Sequence, residues 1–580
     1  MSSCGRKEDI VWQHFQKSVT PGKKGCRAAC RYCPKDMQGI PSRLKDHLKE
    51  CKGVVNKPPP VMPLQHSDST MPPAGIVANM KRAFEQEDDD GKSFPSVTFQ
   101  PPSKNMKSSA SVSSYFVATT AKERKAFDLQ IATMIYATNS PARLAEHPEF
   151  KKLVTMLHPG YTPPSRIAVG DILLNEVYDE KFTVCKEKVK GKSVSMELDG
   201  WSNIHKEPVV CCSITTYEGD TFLTSTIDTQ DEKHTGDNIE AIAEAAIKRV
   251  EDELGCKVKS FVTDNAANMK KCRSQLEDSH PVITYPCSAH VADRLAKDVD
   301  TSDVKSHIVQ IAKYFKSHHL PNAWYKQEGG KALSLPIAVR WNSVNDCMQA
   351  YVDNWAILVK VVESHPEEID SEIREKILDI TLKRQATDYL SKMKPIAVAL
   401  DRLQADKCHL SDAVVIWKEL AESFDDIEMS LSDSKKLVSR MKIALTPAHF
   451  LAYLLDPRYN GSPHLSSEEI DTAMNYLADH HYSALKAVIN YRAKSSPFGS
   501  YMFKPEVLSG TDPFAWWQSQ ASMLDEHILS LVEQLFTARA STAGIERIFS
   551  TFGLVHSKLR NRLQTEKAGK LVFLYKLLNM

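Results

Sequence analysis

The sequence of 580 residues predicts a multidomain α+β protein, in which a small metal-binding head and a linker precede a mixed sheet and a long run of helices. Three observations support this fold class. Cysteines and a histidine cluster in a basic head, two apolar runs at 194–199 and 257–264 each end in an aspartate, and residues 300–530 repeat apolar side chains every three or four positions. The chain is also too long for a single hydrophobic core.

Composition favours an ordinary globular protein of the cytosol or nucleus. Apolar residues make up 42% of the chain and charged residues 25%. No apolar run approaches the roughly 18 residues of a membrane span, and the start MSSCGRKEDI is polar, unlike a secretory signal. We therefore expect no membrane partner, and we expect the 13 cysteines to serve as thiols or metal ligands and not as disulfides.

The head, residues 8–52, carries a spacing typical of a structural zinc site. Cys30 and Cys33 form a Cys-x2-Cys knuckle, and His47 and Cys51 lie four residues apart, on one face of a predicted helix. Cys26 is an alternative ligand in a looser Cys-x3-Cys spacing, which we disfavour. We predict a structural zinc ion held by Cys30, Cys33, His47 and Cys51.

The head resembles a BED-type zinc finger, because the aromatic segment VWQHF precedes the ligands and a helix with His and Cys closes the site. By that resemblance the head binds DNA. The charge agrees, since residues 1–57 contain 13 Lys and Arg against 5 Asp and Glu, a net charge of +8. The candidate DNA contacts are Lys23, Lys24, Arg27, Arg31, Arg43 and Lys45.

A linker is predicted over 53–118, because nine prolines between 58 and 102 and few large apolar residues cannot build a core. Helical spacing returns in residues 119–190, where KAFDLQIATMIYATNS predicts one helix and two short helices follow around the prolines at 159–164. This helical domain either packs on its neighbour or contacts DNA; the sequence supports both equally.

The mixed sheet belongs to residues 191–300. Strands are predicted at 194–199, 208–217, 221–228, 257–263 and 282–286, with a helix at about 237–254. The first strand is expected to deliver Asp199 and stop at Gly200, and the fourth to deliver Asp264. Side-by-side carboxylates share a proton or hold a divalent cation. The simpler alternative for Asp264 is an Asx turn with the residues after it.

The later segments contribute smaller features. Cys287 and His290 begin a predicted helix after the fifth strand, where we expect a buried role or a polar contact near the acids. Residues 301–530 are predicted helical, and Trp516 and Trp517 are either core residues or stacking partners for an unpaired base. In residues 531–580 an apolar helix face accompanies Glu546 and either completes the core or forms a partner interface. Its candidate dimerisation residues are Ile548, Phe549, Phe552, Val555, Leu559 and Leu563.

Taken together, these stretches resemble the hAT family of DNA transposases and the host genes derived from them. The motifs that carry the resemblance are LDGWS, VTDNAANM, CSAH, RWNS, LDPRY and GIERIFST, although Asp293 and Arg294 replace the Asn and Leu expected after CSAH. The resemblance implies an RNase H-like α/β core interrupted by the helical insertion 301–530, completed by 531–580, and a homodimer or higher homo-oligomer.

The resemblance also implies a chemistry. Asp199, Asp264 and Glu546 match the acidic triad, with His290 as an accessory residue, and such a triad holds Mg²⁺ or Mn²⁺ for two-metal phosphoryl transfer on DNA. Two alternatives remain: a domesticated, catalytically inactive, dimeric DNA-binding transcription regulator, or a nuclease acting on another substrate. Both main hypotheses place the protein in the nucleus, although no clear basic import cluster stands out.

Overall fold

The computed structural model describes residues 11, 14–18, 27–38, 41–51, 119–203, 205–229, 234–299, 303–337, 342–460, 464–557, 560 and 563–580. The chain divides into two compact units, residues 1–108 and 109–580. Several predicted features lie outside the described residues: the linker 53–118, the first two residues of the RWNS motif, the head residues Lys23, Lys24 and Cys26, and Leu559.

The first unit is a three-stranded antiparallel sheet followed by one helix. The elements are β1 (Phe15–Ser18), β2 (Arg27–Cys30), β3 (Asp36–Gln38) and α1 (Pro41–Glu50). Its apolar core is small, with Phe15, Ala28 and Leu44 fully buried. A core of this size needs an additional staple to be stable.

Helices open the second unit. They are α2 (Ala121–Ala137), a 3₁₀ turn (Ala142–Glu146), α3 (Pro148–Leu157), α4 (Arg166–Gly170) and α5 (Ile172–Val189). Of the two short helices expected on either side of the prolines at 159–164, the first is present as α3. The second was wrong, because two helices follow the turn and α5 has 18 residues. The core-facing side chains Leu173, Leu174 and Val177 recur at helical spacing, so α5 continues almost to the first strand of the sheet.

The sheet has five strands in the order β6-β5-β4-β7-β8. They are β4 (Ser193–Ser202), β5 (Pro208–Thr216), β6 (Thr221–Asp228), β7 (Lys257–Thr263) and β8 (Ile283–Pro286). Strands β4, β5 and β6 are antiparallel neighbours, whereas β7 runs parallel to β4 and to β8. The first and fourth of the predicted strands, β4 and β7, are therefore direct neighbours in the sheet.

Strand β4 is longer than predicted. It does not stop at Gly200, because Gly200, Trp201 and Ser202 continue the antiparallel register with β5. The apolar run therefore ends inside a paired strand, and the neighbour β5 decides where the strand stops.

Helices α6 (Gly236–Leu254), α7 (Ala267–Ser279) and α8 (Ser288–Val299) connect and follow the later strands. The alternation along β4 divides its side chains between two layers. Val194, Met196 and Leu198 pack in the core that contains α5, α6 and α7. Glu197 and Asp199 consequently point to the opposite face of the sheet.

The segment after α8 is helical, as predicted. Its helices are α9 (Val304–Ser317), α10 (His319–Gln327), α11 (Ser343–Ser364), α12 (Ser371–Leu378), α13 (Ile380–Leu403), α14 (Leu410–Asp426), α15 (Leu431–Ala444), α16 (Pro447–Leu455), α17 (Ser467–His480), α18 (Leu485–Arg492), α19 (Pro505–Leu508) and α20 (Pro513–Gln518), with 3₁₀ turns at Pro457–Tyr459, Tyr482–Ala484, Ser500–Phe503 and Ala521–Met523.

Trp516 and Trp517 are buried in this helical segment, and their indole nitrogens donate to the backbone oxygens of Met502 and Leu455. They are core residues and do not present a stacking surface. In the LDPRY motif, the fully buried carboxylate of Asp456 pairs with Arg458, which also reaches Asp412. This motif therefore forms an internal ion-pair network between α14 and the end of α16.

The last three helices return to the sheet. They are α21 (Glu526–Thr537), α22 (Ala543–Val555) and α23 (Thr565–Leu578). Helix α22 packs across β4, β5 and β6, and α23 packs on β6. Helix α22 covers the face of β4 that carries Glu197 and Asp199. None of the helices that the structure describes is long and apolar enough to cross a membrane.

Candidate functional site

The predicted zinc ligands of the head converge. Ligand atoms of Cys30, Cys33, His47 and Cys51 all lie within 4.8 Å of one another. The Sγ atoms of Cys30 and Cys51 are 3.9 Å apart, and Cys33 Sγ lies 3.4 Å from His47 Nε2. Ligands about 2.3 Å from a tetrahedral zinc are separated by roughly 3.8 Å. The four residues form a Cys3His group that could bind zinc.

Local structure explains the convergence. Cys30 ends β2, Cys33 follows in the turn before β3, and α1 presents His47 and delivers Cys51 directly after its last residue. The ring of Phe15 packs edge-on against the His47 ring, with centroids 5.9 Å apart. An aromatic side chain of the VWQHF segment thus packs directly on one of the four clustered residues.

Some of the predicted DNA contacts are described. Arg31 and Arg43 are exposed, and Arg27 is exposed in a salt bridge with Asp36, with Nε and Oδ2 2.8 Å apart. An exposed pair of this kind contributes little to stability, so the Arg27 guanidinium can exchange its partner for a phosphate. The side chain of Lys45 lies outside the described residues, as do Lys23 and Lys24.

A second cluster forms on the sheet of the larger unit. One ligand atom each from Asp199, His290 and Glu546 lie within 4.8 Å of one another. These residues come from β4, α8 and α22, so the fold assembles the cluster from three distant parts of the sequence. The Nε2 atom of His290 is 3.7 Å from Oε1 of Glu546. Two carboxylates and an imidazole are ligands suited to a divalent metal ion.

Asp264 lies beside this cluster and outside it. The last register pair between β4 and β7 joins Glu197 to Val262, so Asp199 and Asp264 each lie two residues further along parallel strands. Neighbouring strands are about 4.8 Å apart, which places the two acids at the same edge. In the structure, however, Asp264 Oδ1 accepts a hydrogen bond from the Ala266 amide at 3.1 Å, the Asx turn considered as the alternative.

Arg273 on α7 holds the turn that carries Asp264. Its buried guanidinium donates to Thr263 Oγ1, to the backbone oxygen of Asp264 and to Asn265 Oδ1. This fixes the backbone of Asp264 and leaves Asp264 Oδ2 outside these contacts. The contacts of Arg273 therefore fix the backbone of Asp264 next to the cluster.

Glu197 positions the helix that carries Glu546. It is fully buried two residues before Asp199 on the same face of β4. Its Oε2 accepts from the Ile545 amide at 2.9 Å and from Ser213 Oγ at 2.9 Å, while Oε1 accepts from Thr215 Oγ1 at 2.7 Å. A carboxylate at a helix N-terminus satisfies a free amide and complements the helix dipole. The next residue along α22 is Glu546.

Gly544 allows this close approach. A Cβ atom at this position would lie 2.7 Å from Glu197 Oε2 and 2.9 Å from Thr221 Oγ1. On the other side of the site, the Trp201 ring packs against Phe549 and Phe552 of α22, with centroids 4.8 and 4.5 Å away. Strand β4 thus holds α22 at two points, one on each side of Asp199.

The electrostatics of the cluster follow from burial and proximity. Burial raises the pKa of Asp199 well above its usual range, and the charge of Glu546 adds to this, while His290 and the Gly200 amide oppose it. Burial lowers the pKa of His290, but the charge of Cys287, Asp199 and Glu546 outweighs burial and raises it to about 10. A bound cation would offset the repulsion between the two carboxylates.

Cys287 supports His290. Burial acts to raise the pKa of its thiol, but the charge of His290 and hydrogen bonds from His290 and Thr542 outweigh burial and lower it. The amide and Oγ1 of Thr542 both lie 3.3 Å from the Cys287 sulfur, just before α22 begins. The expected polar contact of this pair near the acids is present.

The segment 538–542 joins the insertion to the site. The Arg539 guanidinium donates to the backbone oxygens of Thr216 and Tyr217 at the end of β5. Next along the chain, the Ala540 amide donates to Cys408, and Ser541 Oγ donates to the Leu403 oxygen at 2.8 Å. The insertion thus contacts the same short segment that starts α22.

The apolar face of α22 completes the core. Ile548, Phe552 and Val555 are buried against Cys211 and Leu223 of the sheet within the same chain, while Phe549 and Leu563 are partly buried beside them. Leu559 lies outside the described residues. Of the two roles expected for this face, core completion is the one that the buried side chains perform.

Few of the residues that hold the site together carry a signal in the sequence. Glu197 is the exception, because a charged residue interrupts an apolar strand two residues before Asp199. Gly544 and Arg273 carried no such signal, because their partners Glu197 and Asp264 are brought to them by the tertiary fold.

Two parts of the chain match known families. Residues 164–315 match a domain of unknown function, DUF659. Residues 500–578 match the C-terminal dimerisation region of the hAT family. The first match contains Asp199, Asp264 and His290, the second contains Glu546, and neither covers the head. No curated protein matches the chain. The matches support a hAT transposase-like protein and a homodimer or higher oligomer.

Proposed function

We propose that this protein is a hAT transposase-like DNA-binding protein that cuts and joins DNA by metal-dependent phosphoryl transfer. The observation that carries the proposal is the convergence of Asp199, His290 and Glu546 within 4.8 Å, from three elements that are far apart in the sequence. The strand order, with two antiparallel strands on one side of β4 and two parallel strands on the other, supports an RNase H-like core. The hAT dimerisation match agrees with this function.

The residues of the site have three proposed roles: binding metal ions, placing positive charge beside the carboxylates, and positioning α22. Asp199, Glu546 and Asp264 would hold one or two Mg²⁺ or Mn²⁺ ions, and such ions would lower the pKa of the attacking hydroxyl and stabilise the leaving oxygen. His290 places positive charge beside both clustered carboxylates. Glu197 and Trp201 fix α22, so that Glu546 faces Asp199.

The head would deliver the DNA. Its four clustered ligands suit zinc, and its exposed Arg31 and Arg43 suit phosphate contacts. BED-type character, zinc as the bound ion and a nuclear location belong to this proposal. Dimer formation through the C-terminal region would place two catalytic units on two DNA ends.

The test is cleavage and strand transfer by the purified protein on DNA that carries the ends flanking its own gene. Wild type is expected to act in Mg²⁺ or Mn²⁺, and Asp199→Ala, Asp264→Ala and Glu546→Ala are each expected to abolish product without affecting DNA binding by the head. Activity that survives all three substitutions would contradict the assignment of the site.

One observation favours a second function, a catalytically inactive DNA-binding regulator. Asp264 accepts a hydrogen bond from the Ala266 amide and stays outside the cluster of Asp199, His290 and Glu546. A site with two clustered carboxylates holds fewer metal ligands than the full triad. Zinc-dependent binding of the flanking DNA with no cleavage in either metal would support the regulator.

A further inference from the structure

A cleft of about 980 Å³ lies between the first helices of the second unit and its C-terminal segment. Three arginines line it: Arg143 after α2, Arg166 at the start of α4, and Arg560 after α22. Among the described lining residues there is no aspartate, glutamate or lysine, so the cleft is positively charged. Its volume lies at the upper end of the range of about 300–1,000 Å³ typical of ligand sites.

The three arginines of the cleft differ in their contacts: Arg560 is held by hydrogen bonds, whereas Arg143 and Arg166 are exposed. Arg560 donates through both terminal nitrogens to Asn139, to Oδ1 and to the backbone oxygen, and Asn139 in turn donates to the Leu554 oxygen. Arg143 is exposed and forms no salt bridge with a described residue, and Arg166 is exposed with Nε 3.7 Å from Glu146. Arg143 and Arg166 are therefore available to an anionic ligand.

The walls of the cleft are apolar. Ile135, Val169, Leu174 and Leu571 line its interior, and Leu554 stands at its edge with 58% of its surface exposed. A ligand that fits must combine negative charge with flat apolar groups. A nucleotide has both features, and its base reaches an apolar wall only when it is unpaired.

The solvent-exposed side of α22 connects the cleft to the candidate metal site. Arg547, Ser550, Gly553 and Leu554 are exposed along the helix, and Glu546 is half-buried at its start. Eight residues of helix separate Glu546 from Leu554, a distance of about 12 Å. This corresponds to three or four stacked nucleotides, at about 3.4 Å per nucleotide.

Gly553 has no packing reason among the residues that the structure describes. It has a helical backbone, and a Cβ atom at this position would meet no described atom within 4 Å. Glycine weakens a helix relative to alanine, so its presence here costs stability and gains no contact. Absence of a side chain is useful when a ligand approaches the backbone closely.

We infer that the arginine-lined cleft binds an unpaired stretch of a DNA strand, three or four nucleotides from the metal site. Arg143 and Arg166 contact its phosphates, the apolar walls contact its bases, and Gly553 lets the strand pass close to α22. This inference rests on the proposed DNA processing, because the strand in the cleft continues to the acids. Lys558 and Arg562, which flank Arg560 in the sequence, lie outside the described residues.

Photo-crosslinking tests the inference on the full-length protein. The probe is a duplex with a single-stranded overhang that carries one 5-iododeoxyuridine, used without Mg²⁺ or Mn²⁺ so that no chemistry takes part. We expect crosslinks to peptides within 131–143 and 554–571 from positions in the overhang, and none there from positions in the duplex. Crosslinks of the overhang only to other parts of the chain would overturn the inference.

Two variants with matched controls sharpen the test. Arg143→Gln should reduce crosslinking in the cleft by about fivefold and lower the salt dependence of that signal by about 0.7 in log–log slope. Gly553→Ala should reduce the same crosslinks while the Tm stays equal or rises, which a purely structural role for Gly553 would not produce. Arg384→Gln and Gly510→Ala, an exposed arginine and an unpacked glycine elsewhere, should leave crosslinking unchanged.

The remaining outcomes are also decisive. Unchanged crosslinking in both cleft variants would overturn the inference. Equal competition of inorganic phosphate and of unlabelled oligonucleotide against the cleft crosslinks would also overturn it, because the cleft would then be a simple anion site. Cleft crosslinks in a protein that fails to cleave DNA would remove the proposed catalysis and keep the strand-binding cleft. Cleavage of DNA without crosslinks in the cleft would keep the proposed catalysis and overturn the strand-binding cleft.

Discussion

Glu197 shows how one buried carboxylate can organise a site without belonging to it. Its Oε2 accepts from the Ile545 amide, and the adjacent Glu546 lies with Asp199 and His290. Thr215 and Ser213 also donate to the carboxylate, so all three contacts favour its charged, accepting form. Glu197 therefore acts on the candidate metal site through the position of α22.

Glu197→Gln should weaken Mn²⁺ binding at this site by about 10–100-fold, the usual effect of losing a group that orients a metal ligand. Gly544→Ala should act in the same direction, because its Cβ would lie 2.7 Å from Glu197 Oε2. Calorimetric titration with Mn²⁺ measures the affinity, and hydrogen exchange of residues 543–548 measures the helix start. Exchange in that segment should accelerate in both variants.

Thr215→Val is the control for this prediction. It removes a different donor to Glu197, 2.7 Å from Oε1, and leaves the link to Ile545 in place. It should lower stability by about 1–3 kcal/mol and leave Mn²⁺ affinity unchanged. Equal loss of metal binding in Thr215→Val and Glu197→Gln would show general destabilisation and contradict the positioning role.

His449 makes stability depend on pH. Complete burial in α16 lowers its pKa to about 3, whereas an unfolded histidine titrates near 6.5. Between pH 6.5 and 3 the unfolded state binds more protons, so this residue's contribution to stability is full above pH 6.5 and is lost as the pH falls. The loss at pH 5 is about 2 kcal/mol.

His449→Gln should flatten this dependence. A glutamine can still accept from Thr446, which donates to His449 Nδ1, but it does not titrate. Urea midpoints measured between pH 6.5 and 5 should change by less than in wild type, by the equivalent of about 2 kcal/mol. The exposed His319→Gln is the control, and a slope unaltered in His449→Gln would contradict the prediction.

At the scale of elements, we expect the head to depend on a bound metal ion for its structure. Cys30, Cys33, His47 and Cys51 lie together where such an ion would staple a sheet and helix whose own core contains few large side chains. Removal of the ion with a chelator should unfold residues 11–51, since zinc contributes about 10–16 kcal/mol in comparable fingers. Hydrogen exchange of peptides from the two units reports the result. Residues 119–580 should keep their protection, and a head that stays protected without metal would contradict the prediction.

The strands were predictable because their signal is local. Two of them, 221–228 and 257–263, were predicted with the bounds that the structure shows, as buried strands give continuous apolar runs that end at polar turns. The end of β4 was not predictable, because its last three residues are held by the neighbouring strand β5. Pairing between strands decides that boundary, and a single strand's sequence does not contain it.

The sequence predicted which residues form the candidate site better than it predicted their positions relative to one another. Motif resemblance selected Asp199, Asp264, His290 and Glu546, and the fold brings three of them together. The turn that draws Asp264 to Ala266 depends on Arg273 from α7, and the placement of Glu546 depends on Glu197. Both contacts form only in the folded chain, so motif spacing could not reveal them.

At the scale of the whole molecule, residues 500–578 match a dimerisation region, yet the apolar side chains of α22 in this region are buried within a single chain. Ile548, Phe552 and Val555 pack inside one chain. Phe552→Ala should therefore lower stability by about 3–5 kcal/mol, as for other buried phenylalanines, without changing the oligomer. Light scattering over a range of protein concentrations and urea unfolding separate the two effects.

Met523→Ala is the matched control, because Met523 lies in the same matched region with 70% of its surface exposed. It should cost little stability. Dissociation of the oligomer by Phe552→Ala at a concentration where the fold is intact would show that this side chain serves the interface, and it would contradict the core role.

The distance along the chain between β4 and α22 has a consequence for synthesis. Strand β4 leaves the ribosome early, but the helix that covers its polar face and supplies Glu546 is among the last to be translated. The cluster of Asp199, His290 and Glu546 can therefore assemble only after almost the whole chain has been translated, and a chain that terminates before α22 lacks it.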